Sequence, residues 1–304
     1  MSLLSSHCFI YNPHSGRGVS SAKVREFRKS KGAQYDWAET TAPRDATRFA
    51  LQAALDGAET VVAVGGDGTV HEVINGLMAV PADVRPKLGV LPAGSGDDFA
   101  FAAGIPRDFD KGVEILFAGK NRFVDIGSLE DDHGRMEYWN NTIGIGFDAR
   151  VTVRSRRYNM LKGVPMYLTA TVMTLLRDHH QFDVELAFDG NRFAEPALMM
   201  TLANGPREGG GFYTTPKSEI DDGTFEMLFV KPLSRAQMLM LLPKVLKGTH
   251  MGSPAVFHHS FTSLSLTSKQ PLVLHADGEI LAVPGDNVHR LTVAMHRNAL
   301  RVIA

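Results

Sequence analysis

Val61 to Leu77 reads VVAVGGDGTVHEVINGL: a β-branched run, a turn of Gly65, Gly66, Asp67 and Gly68, and then an amphipathic segment. Val61, Val62, Ala63 and Val64 have the pattern of a parallel strand buried on both faces. Beyond the turn, Val70, Val73, Ile74 and Leu77 recur at i, i+3, i+4 and i+7. That spacing puts them on one stripe of a helix and leaves His71, Glu72 and Asn75 on the other side. Glycines between strand and helix let the backbone approach a ligand closely. The helix start adds unpaired N–H groups and the positive end of the helix dipole. The segment predicts a phosphate site that needs no lysine; a tight turn with Asp67 as an ordinary cap is the plainer alternative.

Better-known motifs fail on spelling. A dinucleotide GxGxxG would need Gly or Ala at His71, and GxxxxGK[ST] is absent. His71-Glu72-Val73-Ile74-Asn75 has Asn where a zinc protease needs its second His, and Gly94-Ser95-Gly96 lacks the outer glycines of GxSxG. The twelve histidines show no ligand spacing.

At 304 residues and 44% hydrophobic, the chain can bury one large or two ordinary cores, and a two-domain protein is expected. A net charge of -1 argues against a general nucleic-acid binder, and a single cysteine, Cys8, excludes a disulfide framework and a cysteine-based zinc site. The apolar start Leu3 to Ile10 lacks a basic leader and reads as a first strand rather than a signal peptide. No apolar run approaches the ~20 residues of a spanning helix. A cytoplasmic protein is expected, touching the inner membrane face only from the side.

Along the first part, strands and helices alternate as in a parallel, Rossmann-like sheet covered on both faces. Strands are expected at Cys8–Tyr11, Tyr35–Glu39, Val61–Val64 and Leu88–Leu91. Helices are expected at Ser20–Ser30, Pro43–Leu55 behind a capping Thr, Asp97–Ala102 and Asp110–Phe117. A second glycine turn, Pro92-Ala93-Gly94-Ser95-Gly96, follows the fourth strand. Near Asn121 the texture changes to short strands, the pattern of a mainly antiparallel β-sandwich. They are Arg122–Ser128, Met136–Asn141, Phe182–Phe188, Ala197–Leu202, Phe225–Val230, Phe261–Leu266, Leu272–His275 and Val288–Ala294. Helices at Val164–Leu176 and Ser234–Leu246 interrupt them. The division is an α/β domain over 1–124 and a β-rich domain over 125–294. Whether 295–304 complete the first domain is open.

Read together, these motifs resemble the diacylglycerol kinase catalytic-domain family, which includes sphingosine and ceramide kinases. The resemblance runs nearly end to end. It is carried by Asn12-Pro13-His14-Ser15-Gly16, by Thr40 before Asp45-Ala46, by Gly65 to Thr69 (GGDGT), and by Leu91 to Ala100. In the second half it is carried by Gly144-Ile145-Gly146-Phe147-Asp148-Ala149, Gly209-Gly210-Gly211, Asp221-Asp222-Gly223 and Asp277-Gly278-Glu279. GGDGT alone is shared with NAD kinases; the ordered set is more specific. Ser95 departs from the family's usual Thr, and Asp97, where the family usually has Asn, adds negative charge beside the phosphates.

The resemblance implies an ATP- and Mg²⁺-dependent lipid kinase of phospholipid biosynthesis, acting in a cleft between the two domains. Such transfer needs in-line positioning and charge neutralisation. It places ATP on Asn12, Ser15, Thr40, Gly65, Gly66, Asp67, Gly68, Thr69, Glu72, Gly94 and Ser95. It matches Asp222 to the family's metal-binding Asp, with Glu219 and Thr224 as carbonyl helpers. Glu279 becomes the proton acceptor for the lipid hydroxyl, with Asp67 as the competing base. On spelling alone, both Asp-Gly pairs read first as hairpin turns.

The acceptor side rests on less. Phe147, Gly209–Phe212, Met166, Tyr167 and Leu168 are candidates for a greasy cleft, although residues of this kind at helical spacing are more often core. The run Arg150, Arg154, Arg156, Arg157 and Lys162 fits either an anionic membrane surface or a solvated helix face. A homodimer stays open. The rival functions are an NAD kinase-like enzyme with a soluble substrate and a catalytically silent lipid or nucleotide sensor.

Overall fold

The computed structural model describes residues 6–15, 21–158 and 163–304. Two compact units result, one reaching to Ile126 and including Arg297–Ala304, the other Gly127–His296.

In the first unit, strands and helices alternate in this order: β1 (His7–Tyr11), α1 (Ser21–Lys29), β2 (Asp36–Glu39), α2 (Asp45–Leu55), β3 (Thr60–Gly65), α3 (Asp67–Met78), β4 (Lys87–Pro92), α4 (Asp98–Ala102) and α5 (Phe109–Ala118). The strands lie in the order β2-β1-β3-β4, each pair parallel. Every residue of β3 is buried, as the β-branched run requires of a central parallel strand. Phe9, Val62, Val64, Leu91, Phe109 and Leu116 share one core cluster. Burial pushes the lone Cys8 thiol up to about 11, so it stays protonated at neutral pH.

The chain then runs through β5 (Asn121–Asp131), β6 (Met136–Trp139), β7 (Thr142–Gly146), α6 (Phe147–Ser155), α7 (Gly163–Arg177), β8 (Phe182–Phe188), β9 (Asn191–Ala197) and β10 (Met199–Ala203). It continues with β11 (Phe225–Val230), α8 (Arg235–Leu246), β12 (Val256–Phe261), β13 (Ser263–Ser268), β14 (Leu274–Ala276), β15 (Glu279–Ala282) and β16 (Arg290–Ile303). One sheet of the second unit is β12-β11-β10-β7-β14-β15, antiparallel throughout. The other continues from the first half of β16 through β13 and β8 to β9, also antiparallel. Ile143, Met200, Leu202 and Phe225 of the first sheet share a buried cluster with Val184, Leu186, Leu264 and Leu291 of the second, which makes this unit a sandwich. The far end of β16 serves the first unit, where Val302 pairs in parallel with Leu88 of β4 and the Ala304 N–H reaches the Lys120 carbonyl.

Three expectations are corrected. Helix α2 starts at Asp45 without a capping Thr: Arg44 is its N-cap, in a left-handed conformation (φ 67°). Glu72 of α3 takes the N–H groups of Arg44 (2.9 Å) and Ala46 (3.0 Å), the work a cap would do. Asp45 meanwhile accepts from the Thr41 N–H and hydroxyl and the Ala42 N–H. The Thr41 N–H first, then a bond from Arg48 (3.1 Å) and the others named, hold its carboxyl far below the usual carboxylate range. The segment Phe261–Leu266 is two strands, since Asp189 captures the N–H groups of Thr262 and Ser263 (2.8 and 3.1 Å) and turns the chain from one sheet into the other. Glycine-rich Thr142–Gly146, not expected as a strand, is the buried β7.

Candidate functional site

In the first unit the two glycine turns meet. β3 and β4 are adjacent and parallel, so Gly66 and Gly94, which follow their ends, face one another. A Cβ on Gly94 would lie 2.5 Å from the Gly66 Cα, and one on Gly66 would lie 3.0 Å from the Gly94 Cα. A Cβ on Gly65 would collide with Thr69. Both turns lie at the carboxyl ends of the strands, where open parallel sheets bind ligands, and the first turn of α3 starts there at Asp67.

The neighbouring polar side chains build this corner. Ser15 Oγ accepts from the Gly66 N–H (3.3 Å), and Asn12 Nδ2 donates to Thr69 Oγ1 (3.3 Å). Thr40 is buried, its N–H bonded to the Tyr11 carbonyl at 2.9 Å. Asp67 Oδ1 accepts from the N–H groups of Asp98 (2.7 Å) and Phe99 (3.3 Å) and so caps α4. The first of these bonds comes from the backbone of Asp98, itself buried, a residue that sequence reasoning did not single out. Glu72 stands apart, with both oxygens on the start of α2.

Asp97 has a local use. Its Oδ1 accepts from the Gly94 N–H at 2.9 Å, and its Oδ2 lies 3.5 Å from Arg107 Nε. Arg107 also donates to the carbonyls of Ser95 and Gly96. The added negative charge is therefore matched by a guanidinium that braces the same turn. Gly94→Ala should force the two turns apart, weakening binding of an ATP-type triphosphate by about 10-fold or more, or ~1.4 kcal/mol. Calorimetric titration checks this; unchanged affinity in a folded variant would sink the phosphate reading of these turns.

In the second unit, the hairpin between β14 and β15 carries Asp277 and Gly278 at its tip, both with positive φ (51° and 85°), the two-residue type I′ turn. Asp277 is buried and accepts from the N–H groups of Asn140 (3.0 Å), Asn141 (2.8 Å) and Thr142 (3.0 Å) and from Asn140 Nδ2 (2.8 Å). It anchors the hairpin to the start of β7. Glu279, the next residue but one, is 43% exposed at its side chain and receives Arg156 at 3.0 Å. The same guanidinium nitrogen reaches the Gly278 carbonyl at 2.9 Å. Of the acceptor candidates, Tyr167 lies beside this tip, its hydroxyl 3.9 Å from a Cβ built on Gly278, and its ring meets Phe212 edge-on at 6.5 Å. Phe147 is core, packed with Val151, Ala170 and Leu175.

Asp222 is exposed, and its Oδ1 accepts from the Thr224 N–H (2.9 Å) and hydroxyl (3.0 Å), a local Asx-type turn. The other carboxylate oxygen of Asp222 and the backbone carbonyls of Glu219 and Thr224 are hard oxygen donors, the chemistry that suits Mg²⁺. The basic run is largely spent internally. Arg150 and Arg154 pair with Asp178 at 2.9 and 3.7 Å, Arg154 also donates to Thr174, and Arg156 serves the hairpin. Arg157 is exposed; Lys162 lies outside the described residues, as does Gly16 of the first turn.

Comparison with known proteins gives the family. A domain model described as "Diacylglycerol kinase catalytic domain" matches residues 6–129, and one described as "YegS C-terminal NAD kinase beta sandwich-like domain" matches residues 141–304. The chain is 33% identical over 288 residues to "Diacylglycerol kinase" of Bacillus subtilis, covering 92% of each. It is 30% identical over 268 residues to "Probable lipid kinase YegS-like" of Chromohalobacter salexigens, covering 85% of this chain and 84% of that one. A solved diacylglycerol kinase structure from Bacillus anthracis shares the fold with a TM-score of 0.72 at 19% identity, covering 100% of this chain and 98% of that one.

Proposed function

The chain belongs to the diacylglycerol kinase catalytic-domain family and is a lipid kinase, and from that premise we propose that it moves the γ-phosphate of Mg-ATP to the hydroxyl of a diacylglycerol-like lipid. The observation that carries the nucleotide half is the backbone-to-backbone approach of Gly66 and Gly94 beside the start of α3. There, first-turn N–H groups and the helix dipole favour phosphate, and side chains beyond hydrogen are excluded. Asn12, Ser15 and Thr69 brace the turn from one side, Asp97 and Arg107 from the other.

On the acceptor half, Glu279 takes the proton of the lipid hydroxyl as the new P–O bond forms. Arg156 holds its carboxylate in place, and Asp277 fixes the hairpin beneath it. Mg²⁺, bound through Asp222 with the carbonyls of Glu219 and Thr224, would supply positive charge to the phosphate oxygens. Asp67 is the competing base, but it has one oxygen committed to capping α4. The structure has no described helix long and apolar enough to cross a membrane. Leu168 and Leu176 on α7 and Leu239 and Met240 on α8 are exposed, and with Arg157 they favour peripheral contact with an anionic bilayer.

The test is transfer of labelled γ-phosphate to diacylglycerol, a sphingoid base, ceramide and phosphatidylglycerol in mixed micelles, with NAD as a soluble acceptor. Label in diacylglycerol that requires Mg²⁺ is the expected result. Label in NAD alone would favour the soluble-substrate reading, and ATP binding with no labelled acceptor would favour the sensor.

A further inference from the structure

We propose that Asp148 and His275 form a positioning pair that sets the hairpin bearing Glu279; the inference rests on the reading of Glu279 as proton acceptor. His275 is buried on β14, and the Gly278 N–H donates to its Nδ1 at 3.2 Å. A peptide N–H can only donate, so Nδ1 presents its lone pair and the neutral ring carries its proton on Nε2. Asp148 Oδ2 lies 3.6 Å from that Nε2. This is longer than a hydrogen bond, yet the carboxylate's charge at that distance favours N–H at Nε2 over Nδ1. Thr201 Oγ1 donates to the same carboxylate oxygen at 3.3 Å and holds it on that side.

Gly144, opposite His275 in the β7–β14 register, is the third part. A Cβ there would be driven into both Asp148 Oδ2 and His275 Nε2, so glycine at this position is what lets the two groups face each other. The Glu208 carboxylate comes within 4.8 Å of both, and the three side chains have the composition of a divalent-metal set. A metal on Nε2 would move the ring proton to Nδ1, straight at the Gly278 N–H. The hydrogen bond at Nδ1 assigns the cluster to positioning instead.

One helix thus grips the hairpin on two sides. Asp148 sits in the first turn of α6 and acts on Gly278's N–H through His275. Arg156, the residue after that helix, takes Gly278's carbonyl and the Glu279 carboxylate. With both flanking peptides of Gly278 held, the Glu279 side chain leaves the turn in one direction. The pair therefore acts on turnover and leaves the nucleotide turns of the first unit untouched.

The test uses the full chain with His275→Leu, His275→Asn, Asp148→Asn and the Asp148→Asn/His275→Asn double variant, beside Glu279→Gln. The asparagine oxygen at position 275 falls near the place of Nδ1 and can accept from Gly278, whereas leucine cannot. His275→Leu should lower kcat about 10-fold or more with KM for ATP unchanged, and His275→Asn should restore most of it. Asp148→Asn should lower kcat when His275 is present and have no further effect when combined with His275→Asn. Nitrogen-15 spectra should place the His275 proton on Nε2 and shift toward Nδ1–H in Asp148→Asn. A proton on Nδ1 in the unaltered protein, or equal kcat losses for His275→Leu and His275→Asn, would overturn the proposal. The tautomer is read without turnover, so normal activity of Glu279→Gln would end the base reading while the spectra still decide the pair.

Discussion

Replacing Glu279 by glutamine is expected to lower kcat for lipid phosphorylation by about 10²–10⁴-fold, the usual worth of a general base, while ATP binding stays near that of the unaltered protein. Glutamine keeps the size of the side chain and an oxygen for Arg156, which holds Glu279 at 3.0 Å, so the hairpin has no reason to move. The proton acceptor alone is lost. The nucleotide turns belong to the other compact unit, and the bonds of Asn12, Ser15, Gly66 and Gly94 that build them are made within it. Single-turnover transfer of labelled phosphate together with calorimetric ATP titration separates the two effects. Turnover within a few-fold of normal would pass the role to Asp67, whose carboxylate lies beside the α3 start.

The first half of the fold is legible because its signals are local. The run Thr60–Gly65 is rich in β-branched residues and buried throughout, and Val73, Ile74 and Leu77 do sit on the buried stripe of α3. Period and turn chemistry settle such elements within a few residues. The contact between Gly66 and Gly94 is one step further off: each turn is readable, but their approach depends on β3 and β4 being neighbours. Where a partner comes from afar, the sequence is silent. Nothing in Phe261–Leu266 marks a break, because Asp189 makes it from 73 positions away. Glu72 lies on the polar side of α3, which is as good a place for a ligand contact as for the α2 cap it forms.

The second unit is harder for a related reason. β7 is glycine-rich and has weak strand propensity, yet it is buried, since its glycines admit close neighbours such as Asp148 and His275. The histidines have no ligand spacing along the chain, and the one that matters meets its carboxylate only through the β7–β14 register and the helix that follows β7. The basic run illustrates the same limit. Its residues can be read from the sequence, but Asp178 as partner of Arg150 and Arg154 is a product of how α6 and α7 pack.

Asp277→Ala should destabilise the folded protein by about 3 kcal/mol or more, since several buried donors each lose their acceptor at about 1–3 kcal/mol apiece. The sequence offers two readings of Asp277, a turn former and a member of a catalytic motif; the geometry gives it a third task. The residue is 8% exposed, and its carboxylate receives three successive backbone N–H groups, from Asn140, Asn141 and Thr142, along with the Asn140 side chain. Alanine leaves all four donors facing a cavity. Asparagine is not a rescue, because its one oxygen can serve Asn141 and Thr142 only by turning an NH₂ toward the donors of Asn140. Its loss should fall between that of alanine and zero. Because these four donors are neutral N–H groups in a buried place, their share of the loss should change little with added salt, unlike a surface ion pair. Urea midpoints at two salt concentrations read this directly. A loss under about 1 kcal/mol would mean that water replaces the carboxylate with little cost, and the hairpin under Glu279 would then need another anchor.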